Sequence, residues 1–231
     1  MLNVQSYSVE NFLDSICDLS FLRSRGIEIK NDYPELPYLI SKYKKRITEA
    51  SKTPSLEGLK VPRNGEVLSE LLNTKSPQYF EQIIILPVGD DYYTVCWSVQ
   101  KAKEVIKRHN IQLINFITKV VADGVPPGAV NTAYLEQALI NNEPVIVIKY
   151  PLFSTRTQFI VIDGNHRIIS RLQNGDKYVK GYLIDSELQN EALAGELDRI
   201  LYVVHYNICA IINYVIGDIT KSQLKRGLLP V

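Results

Sequence analysis

The stretch FIVIDGNHRIISRLQNGD, residues 159–176, decides the fold of this chain. Four apolar residues lead into the polar run 163–167, Asp-Gly-Asn-His-Arg, and a helical pattern then ends at Asn174-Gly175. A short apolar run bounded by turn residues predicts a buried strand, and the pattern after it predicts a helix from residue 165 to residue 173. A strand that passes directly into a helix is typical of a mixed fold of helices and strands.

Further strands and helices are predicted on both sides of this stretch. Apolar runs rich in β-branched residues predict strands, and apolar residues spaced by threes and fours predict helices. The predicted strands are QIIILPV (82–88), YYTVCWS (92–98), PVIVIKY (144–150) and KYVKGYLID (177–185), and the predicted helices are residues 38–50, residues 99–109 and a helix with Leu135, Ala138 and Leu139 that stops at Asn141-Asn142. STRTQ (154–158) is a predicted turn. IQLINFI, residues 111–117, fits either a strand or a continuation of the helix before it.

These elements predict an α+β fold, with a small mixed sheet, packed helices and helical additions at both ends. We divide the chain into a mostly helical N-terminal region, residues 1–78, an α/β core, residues 79–188, and a C-terminal helical extension, residues 189–231. Apolar side chains recur at spacings of three and four between residues 186 and 219, which predicts one apolar helical face. We expect that face to be buried or to form a homodimer, because His205, Asn207 and Asn213 make a membrane span costly.

Composition and charge exclude several classes of protein. The chain has 231 residues, of which 45% are hydrophobic and 22% charged, as in folded globular proteins. Its formal net charge of +1 gives no strong long-range attraction to nucleic acid or anionic lipid. Its three cysteines are far apart, which predicts neither a disulfide framework nor a zinc site and fits a reducing cytoplasm. The N-terminus lacks the pattern of a signal peptide.

The polar run at the predicted strand-to-helix turn has the chemistry of a phosphate site. The first amides of a helix lack partners and carry partial positive charge, so an anion is their natural partner. Gly164 would let the backbone approach a phosphate, and Arg167 could add a charge-assisted hydrogen bond. Asp163 should be paired or should border a cleft, where it could hold a ribose hydroxyl, Mg²⁺ or Arg167. His166 could donate to phosphate or move a proton, and Asn165 could cap the helix.

A structural interpretation of the same residues is also open. Asp163 and Asn165 fit ordinary turn and cap chemistry, and His166 and Arg167 fit surface positions. Arg171, however, lies four residues after Arg167 and therefore on the same helix face, whereas Ile168, Ile169 and Leu172 are predicted to form a separate buried face. This arrangement predicts that the polar side chains act as a group.

The order of elements around this motif resembles the ParB N-terminal and sulfiredoxin superfamily. The resemblance covers residues 131–185 and depends mainly on DGNHR and its flanking strands. It implies nucleotide binding, with the phosphates on the motif. Sulfiredoxins have a reactive cysteine before the His-Arg pair, and Asn165 stands there in this chain, which excludes sulfinic acid reduction through that residue. ParB partition proteins bind CTP through an arginine-rich motif and add a helix-turn-helix module, whereas this motif has one arginine and no clear helix-turn-helix follows.

The Asp-Gly-x-His-Arg form of the motif is similar to that of the free-serine kinases in this superfamily. That resemblance implies that Asp163, Gly164, His166 and Arg167 surround the phosphates of ATP, ADP or CTP, with Mg²⁺ as a candidate partner. We take Asp163 and His166 as candidate catalytic residues, and Asn165 and Arg171 as further cofactor-binding candidates. Candidate general bases lie upstream, at Asp123, Glu136 and Glu143. No protein metal site is predicted, since the three histidines have no metal-ligand spacing; His109 and His205 are predicted at surface and interface positions.

Three functions are therefore open. The leading hypothesis is a nucleotide-binding protein that phosphorylates a small molecule or hydrolyses a nucleoside triphosphate. The alternative is a DNA-associated regulatory or partition-type protein without catalysis, because basic residues concentrate between Lys42 and Arg63 and again at Lys221, Lys225 and Arg226. The third is a non-catalytic protein that dimerises through its last helix.

Overall fold

The computed structural model of the chain describes residues 13, 20–52, 78–85, 92–126, 128–150 and 158–231. These residues form a mixed fold of helices and two small sheets, in agreement with the predicted α+β class. The helices are α1 Ser20–Ser24, α2 Leu36–Ala50, α3 Val99–Arg108, α4 Thr118–Ala122, α5 Leu135–Ile140, α6 Asn165–Gln173, α7 Glu196–Val215 and α8 Lys221–Gly227. The strands are β1 Tyr79–Ile85, β2 Tyr92–Ser98, β3 Ile114–Ile117, β4 Val145–Lys149, β5 Phe159–Asp163 and β6 Tyr178–Ile184. Short 3₁₀ turns span Thr132–Tyr134 and Gln189–Ala192.

Most predicted elements are confirmed within the described residues. Helix α6 spans the predicted residues, and β1 and β2 form the predicted antiparallel pair. Residues 114–117 form a strand, which decides the alternative left open for IQLINFI. The sequence pattern does not predict α8, which begins with a reciprocal pair of cap hydrogen bonds between Thr220 and Gln223. Residues 154–157 of the predicted turn and most of the chain before residue 20 lie outside the described residues.

The four-stranded sheet has the order β3-β6-β4-β5. Strand β4 pairs parallel with β6 and antiparallel with β5, and β3 pairs antiparallel with β6. Side chains alternate between the two faces of a strand. Val145 and Val147 of β4 accordingly pack with Ile168 of α6, whereas Ile146 and Ile148 belong to a second, larger cluster. The sheet is therefore a buried layer, and β5 at its edge carries Asp163 at its C-terminal end.

Helix α7 lies at the centre of the larger hydrophobic cluster. Its buried residues include Ile200, Val204, Ile208 and Ile211, and it packs against α2, β2 and α8. The apolar face predicted for residues 186–219 is thus buried inside the chain, which confirms the first of the two expectations for it. Among the described residues, none of the helices combines the length and the hydropathy that a bilayer span requires.

A polar network lies inside this cluster. The Tyr93 hydroxyl is 2.6 Å from His205 Nδ1 and 2.5 Å from the Tyr150 hydroxyl. His205 is only 2% exposed, and burial lowers its pKa to about 4. The interface position predicted for His205 is therefore wrong, because the ring lies in the core of its own chain. His109 is at the surface, as predicted, with its Nε2 3.3 Å from Glu191 Oε2.

Candidate functional site

The turn between β5 and α6 depends on Gly164. This residue has a φ of 96°, in the left-handed region that favours glycine. A Cβ at this position would lie 2.6 Å from Val145 Cγ1 and 2.9 Å from both Nε and Nη2 of Arg167. Gly164 therefore supplies both the backbone conformation of the turn and the space that the Arg167 guanidinium occupies.

Arg167 is buried and joins two carboxylates. Its Nη2 lies 3.1 Å from Asp163 Oδ1, and its Nη1 lies 3.3 Å from Glu143 Oε2 and 3.2 Å from the Glu143 carbonyl oxygen. The side chain of Arg167 is 7% exposed and that of Asp163 is 16% exposed. The planar guanidinium thus holds Asp163 and Glu143 in a fixed arrangement. Of the three partners left open for Asp163, the structure shows Arg167.

Both carboxylates border an open pocket of about 320 Å³. Asp163 and Tyr182 each pair with Ile146 across neighbouring strands, so the three side chains share one face of the sheet. Lys103 and Ile106, which lie one turn apart on α3, form another part of the wall. A concave site that combines apolar walls with a few polar groups is the usual form of a small-molecule pocket, and this volume is at the lower end of the usual range.

The charges around the pocket are mixed. Lys103 lines the same pocket as Asp163 and Glu143, and the Glu143 side chain is 76% exposed. In the part of the chain that the structure describes, no three His, Cys, Asp or Glu side chains converge as they would in an all-protein metal site. A single pocket carboxylate instead fits a Mg²⁺ ion that arrives with phosphate oxygens, because Mg²⁺ commonly takes only one or two ligands from the protein.

Helix α6 begins next to Asp163 with unpaired backbone amides. The amide of Ile168 donates to the Gly164 carbonyl oxygen at 3.0 Å. The amides of Asn165, His166 and Arg167 have no hydrogen-bond partner among the described residues, and no side chain caps the helix. Asn165 is the first helical residue, so the capping role predicted for it is wrong. Three unpaired amides at the positive end of a nine-residue helix favour an anion at this position.

His166 is not among the residues that line the pocket. Its Nε2 accepts a hydrogen bond from the Asn131 amide at 3.0 Å, and its ring packs edge-on against Tyr134 with the centroids 5.9 Å apart. His166 therefore connects α6 to residues 131–134, and the structure does not bring it together with Asp163 at the pocket.

Arg171 also contacts protein groups. Its Nη2 donates to Asn142 Oδ1 at 2.8 Å and to the Asn141 carbonyl oxygen at 3.2 Å, and its Nη1 lies 3.2 Å from Asp176 Oδ2. Arg167 and Arg171 do share one helix face, as predicted, but that face holds residues 141–143 against α6. The predicted burial of Leu172 is wrong, because this residue is 39% exposed.

The structure distinguishes between the three upstream acids. Glu143 borders the pocket, whereas Asp123 at the end of α4 and Glu136 on α5 are exposed and do not line it. Lys103 and Tyr182 are the pocket residues that sequence reasoning missed. Their positions are set by long-range pairing, since Tyr182 reaches the site through β6 and Lys103 through the packing of α3 on β6.

Comparison with protein-family models, curated proteins and solved structures finds no match to this chain. The functional interpretation therefore depends on the geometry and chemistry of the site.

Proposed function

We propose that this protein binds a nucleotide with Mg²⁺ at the β5–α6 turn and the adjoining pocket, and that it transfers or hydrolyses the terminal phosphoryl group. One observation carries the proposal: an open pocket bordered by two carboxylates and a lysine lies beside a helix start with three unpaired amides. The resemblance of the motif to the ParB and sulfiredoxin superfamily supports the same function and suggests ATP, ADP or CTP.

The phosphate contacts follow from the charges of the site. The amides of residues 165–167 and the Lys103 ammonium group are the groups available to phosphate oxygens. Asp163 would hold Mg²⁺, which neutralises phosphate charge when the nucleotide is bound, and Glu143 stays free of the metal. Arg167 and Arg171 hold other protein groups in place and do not contact the phosphates, because both guanidinium groups already bind protein acceptors.

The pocket also suits a small acceptor. A volume of about 320 Å³ is large enough for phosphates and a small hydroxyl compound, and the open side leaves room for the nucleoside. Glu143 is the best placed general base, since its exposed carboxylate borders the pocket and can accept a proton from an alcohol or water. His166 has a supporting role in this proposal, because it contacts residues 131–134.

The test is phosphoryl transfer from ATP, ADP and CTP with Mg²⁺, followed by phosphorus NMR in the presence of small alcohols and amino acids. Glu143→Gln should lower turnover by about 10²–10⁴-fold, the usual contribution of a general base. Glu136→Gln is the matched control, because this exposed acid lies outside the pocket, and its turnover should equal that of the wild type. Equal losses in both variants would remove Glu143 from the chemistry, and no transfer or hydrolysis with any of the nucleotides would refute the proposed reaction.

A further inference from the structure

Helices α2 and α8 come close to each other at their starts, although they are far apart in the sequence. Near the start of both helices, Lys221 Nζ is 3.8 Å from Glu35 Oε1. Asn207 of α7 donates through Nδ2 to the hydroxyl of Tyr43 in α2 at 3.2 Å and to the carbonyl oxygen of Leu229, two residues after the end of α8, at 2.9 Å. Both helices pack on α7, and their first residues are close to each other.

Exposed cations line the neighbouring sides of these helices. Lys42 is seven residues after Glu35 and Lys225 is four residues after Lys221, so each continues the side on which the Glu35–Lys221 pair lies. We define the α2/α8 basic surface by its exposed cations, which are Lys42, Lys45, Lys221, Lys225 and Arg226. Two acids lie close to this charge: Glu35 pairs with Lys221 at 3.8 Å, and Glu49 of α2 pairs with Arg46 at 3.4 Å. Helix α8 contains no acid, and Lys42, Lys45, Lys225 and Arg226 outnumber these two.

An exposed aromatic ring belongs to the same surface. Tyr38 is 73% exposed and lies four residues before Lys42 and seven before Lys45, which places the three side chains on one stripe of α2. Proteins that bind single strands combine cations for the phosphates with aromatic rings on which bases stack. A lipid surface fits less well, because an interfacial helix needs a free apolar face, whereas Tyr43, Ile47 and Leu224 are buried against the chain.

We propose that the α2/α8 basic surface binds single-stranded nucleic acid, with phosphates at the lysines and arginine and a base on Tyr38. The net charge of the whole protein is only +1, but charges farther away than the screening length contribute little at the point of contact. The cluster of cations can therefore attract a polyanion such as nucleic acid. None of these residues lines the pocket, so this inference is independent of the proposed nucleotide function.

The experiment measures fluorescence anisotropy of a labelled single strand of about 20 nucleotides over a range of salt concentrations, with the full-length chain. The logarithm of the affinity should fall against the logarithm of salt concentration with a slope of about −3, given about −0.7 per contacted phosphate. The variant K42Q/K45Q/K225Q/R226Q should lose at least about tenfold in affinity and most of this slope. Tyr38→Ala should lose about fivefold or more for single strands, because a stacked base contributes about 1–3 kcal/mol.

Matched controls test whether binding depends on this surface or on positive charge elsewhere on the protein. The double variant K177Q/K180Q removes two exposed lysines near β6 and should bind as the wild type does. Circular dichroism of each variant should match the wild type, since the substituted side chains are exposed. Absence of salt-dependent binding, an equal loss in K177Q/K180Q, tighter binding to a duplex of the same sequence, or tighter binding to phosphatidylserine vesicles would each overturn the proposal.

Discussion

The Nη2 atom of Arg167 lies 3.1 Å from Oδ1 of Asp163, directly beneath the turn that separates these two residues. The guanidinium fills the space that a side chain at residue 164 would need, and its other terminal nitrogen contacts Glu143. A single buried cation thus sets the positions of the turn and of both pocket carboxylates.

Removal of Arg167 should destabilise the fold strongly. Arg167→Ala leaves the Asp163 carboxylate largely buried without a partner, and we expect a loss of about 3–5 kcal/mol in the free energy of unfolding measured with urea. Arg108→Ala is the control, because the Arg108 side chain is 62% exposed and forms a surface ion pair with Glu191. Loss of that ion pair should change the free energy of unfolding by about 0–1 kcal/mol. A loss below about 1 kcal/mol for Arg167→Ala would show that the ion pairs of Arg167 with Asp163 and Glu143 are not needed for the fold.

Two glycines with positive φ provide a direct comparison of strain and crowding. Gly175 has a φ of 81° and open space around a would-be Cβ, so Gly175→Ala should cost about 1 kcal/mol from backbone strain. Gly164→Ala adds close contacts with Val145 and the Arg167 guanidinium, and we expect about 2–4 kcal/mol. Thermal or urea unfolding of both variants checks this, and equal losses would mean that the guanidinium does not occupy the space beside Gly164.

Acid should weaken the fold through His205. Its pKa in the folded protein is about 4, below the ordinary value of 6.5, so the unfolded chain takes up the proton first as the pH falls. The stability contributed by neutral His205 is complete above pH 6.5 and is lost as the pH falls toward 4, with a change of about 2 kcal/mol between pH 7 and pH 5.

The variant His205→Gln isolates this effect. Its free energy of unfolding should depend less on pH over the same window, by about 2 kcal/mol. Burial raises the pKa of Asp198 to about 6, which changes stability in the opposite direction, but Asp198 is present in both proteins and cancels in their difference. Identical pH profiles for the two proteins would mean that His205 is not buried in its neutral form.

Local sequence patterns predicted the parts of the site that are close in the chain. The apolar run before Asp163 and the spacing of apolar residues after Asn165 were sufficient to predict β5 and α6. Asp163 and Arg167 are four residues apart, so their pairing follows from the turn between the two elements. Glu143 was one of three candidates, because nothing in the sequence shows which acid reaches a guanidinium 24 residues later.

Contacts between distant elements were beyond local patterns. Lys103 and Tyr182 meet at the pocket only because α3 packs on the sheet and β6 pairs with β4. The uncharged run of α7 correctly predicted a helix, but only the fold shows that His205 meets Tyr93 and Tyr150 in the core. Helix α8 is short and depends on the Thr220 cap and on the packing of Leu224. Its sequence is mostly polar and charged, so no apolar periodicity predicts it.

The most direct test of the proposed site is calorimetric titration of the protein with ATP, ADP and CTP in the presence of Mg²⁺. We predict that at least one nucleotide binds the wild type, and that Lys103→Ala weakens its affinity about tenfold, as expected for the loss of one charged hydrogen bond to phosphate. Lys107→Ala, an exposed lysine on the same helix outside the pocket, should bind as tightly as the wild type. No binding of any of these nucleotides, or equal affinities for the Lys103 variant and the wild type, would contradict the assignment of this pocket to nucleotide phosphates.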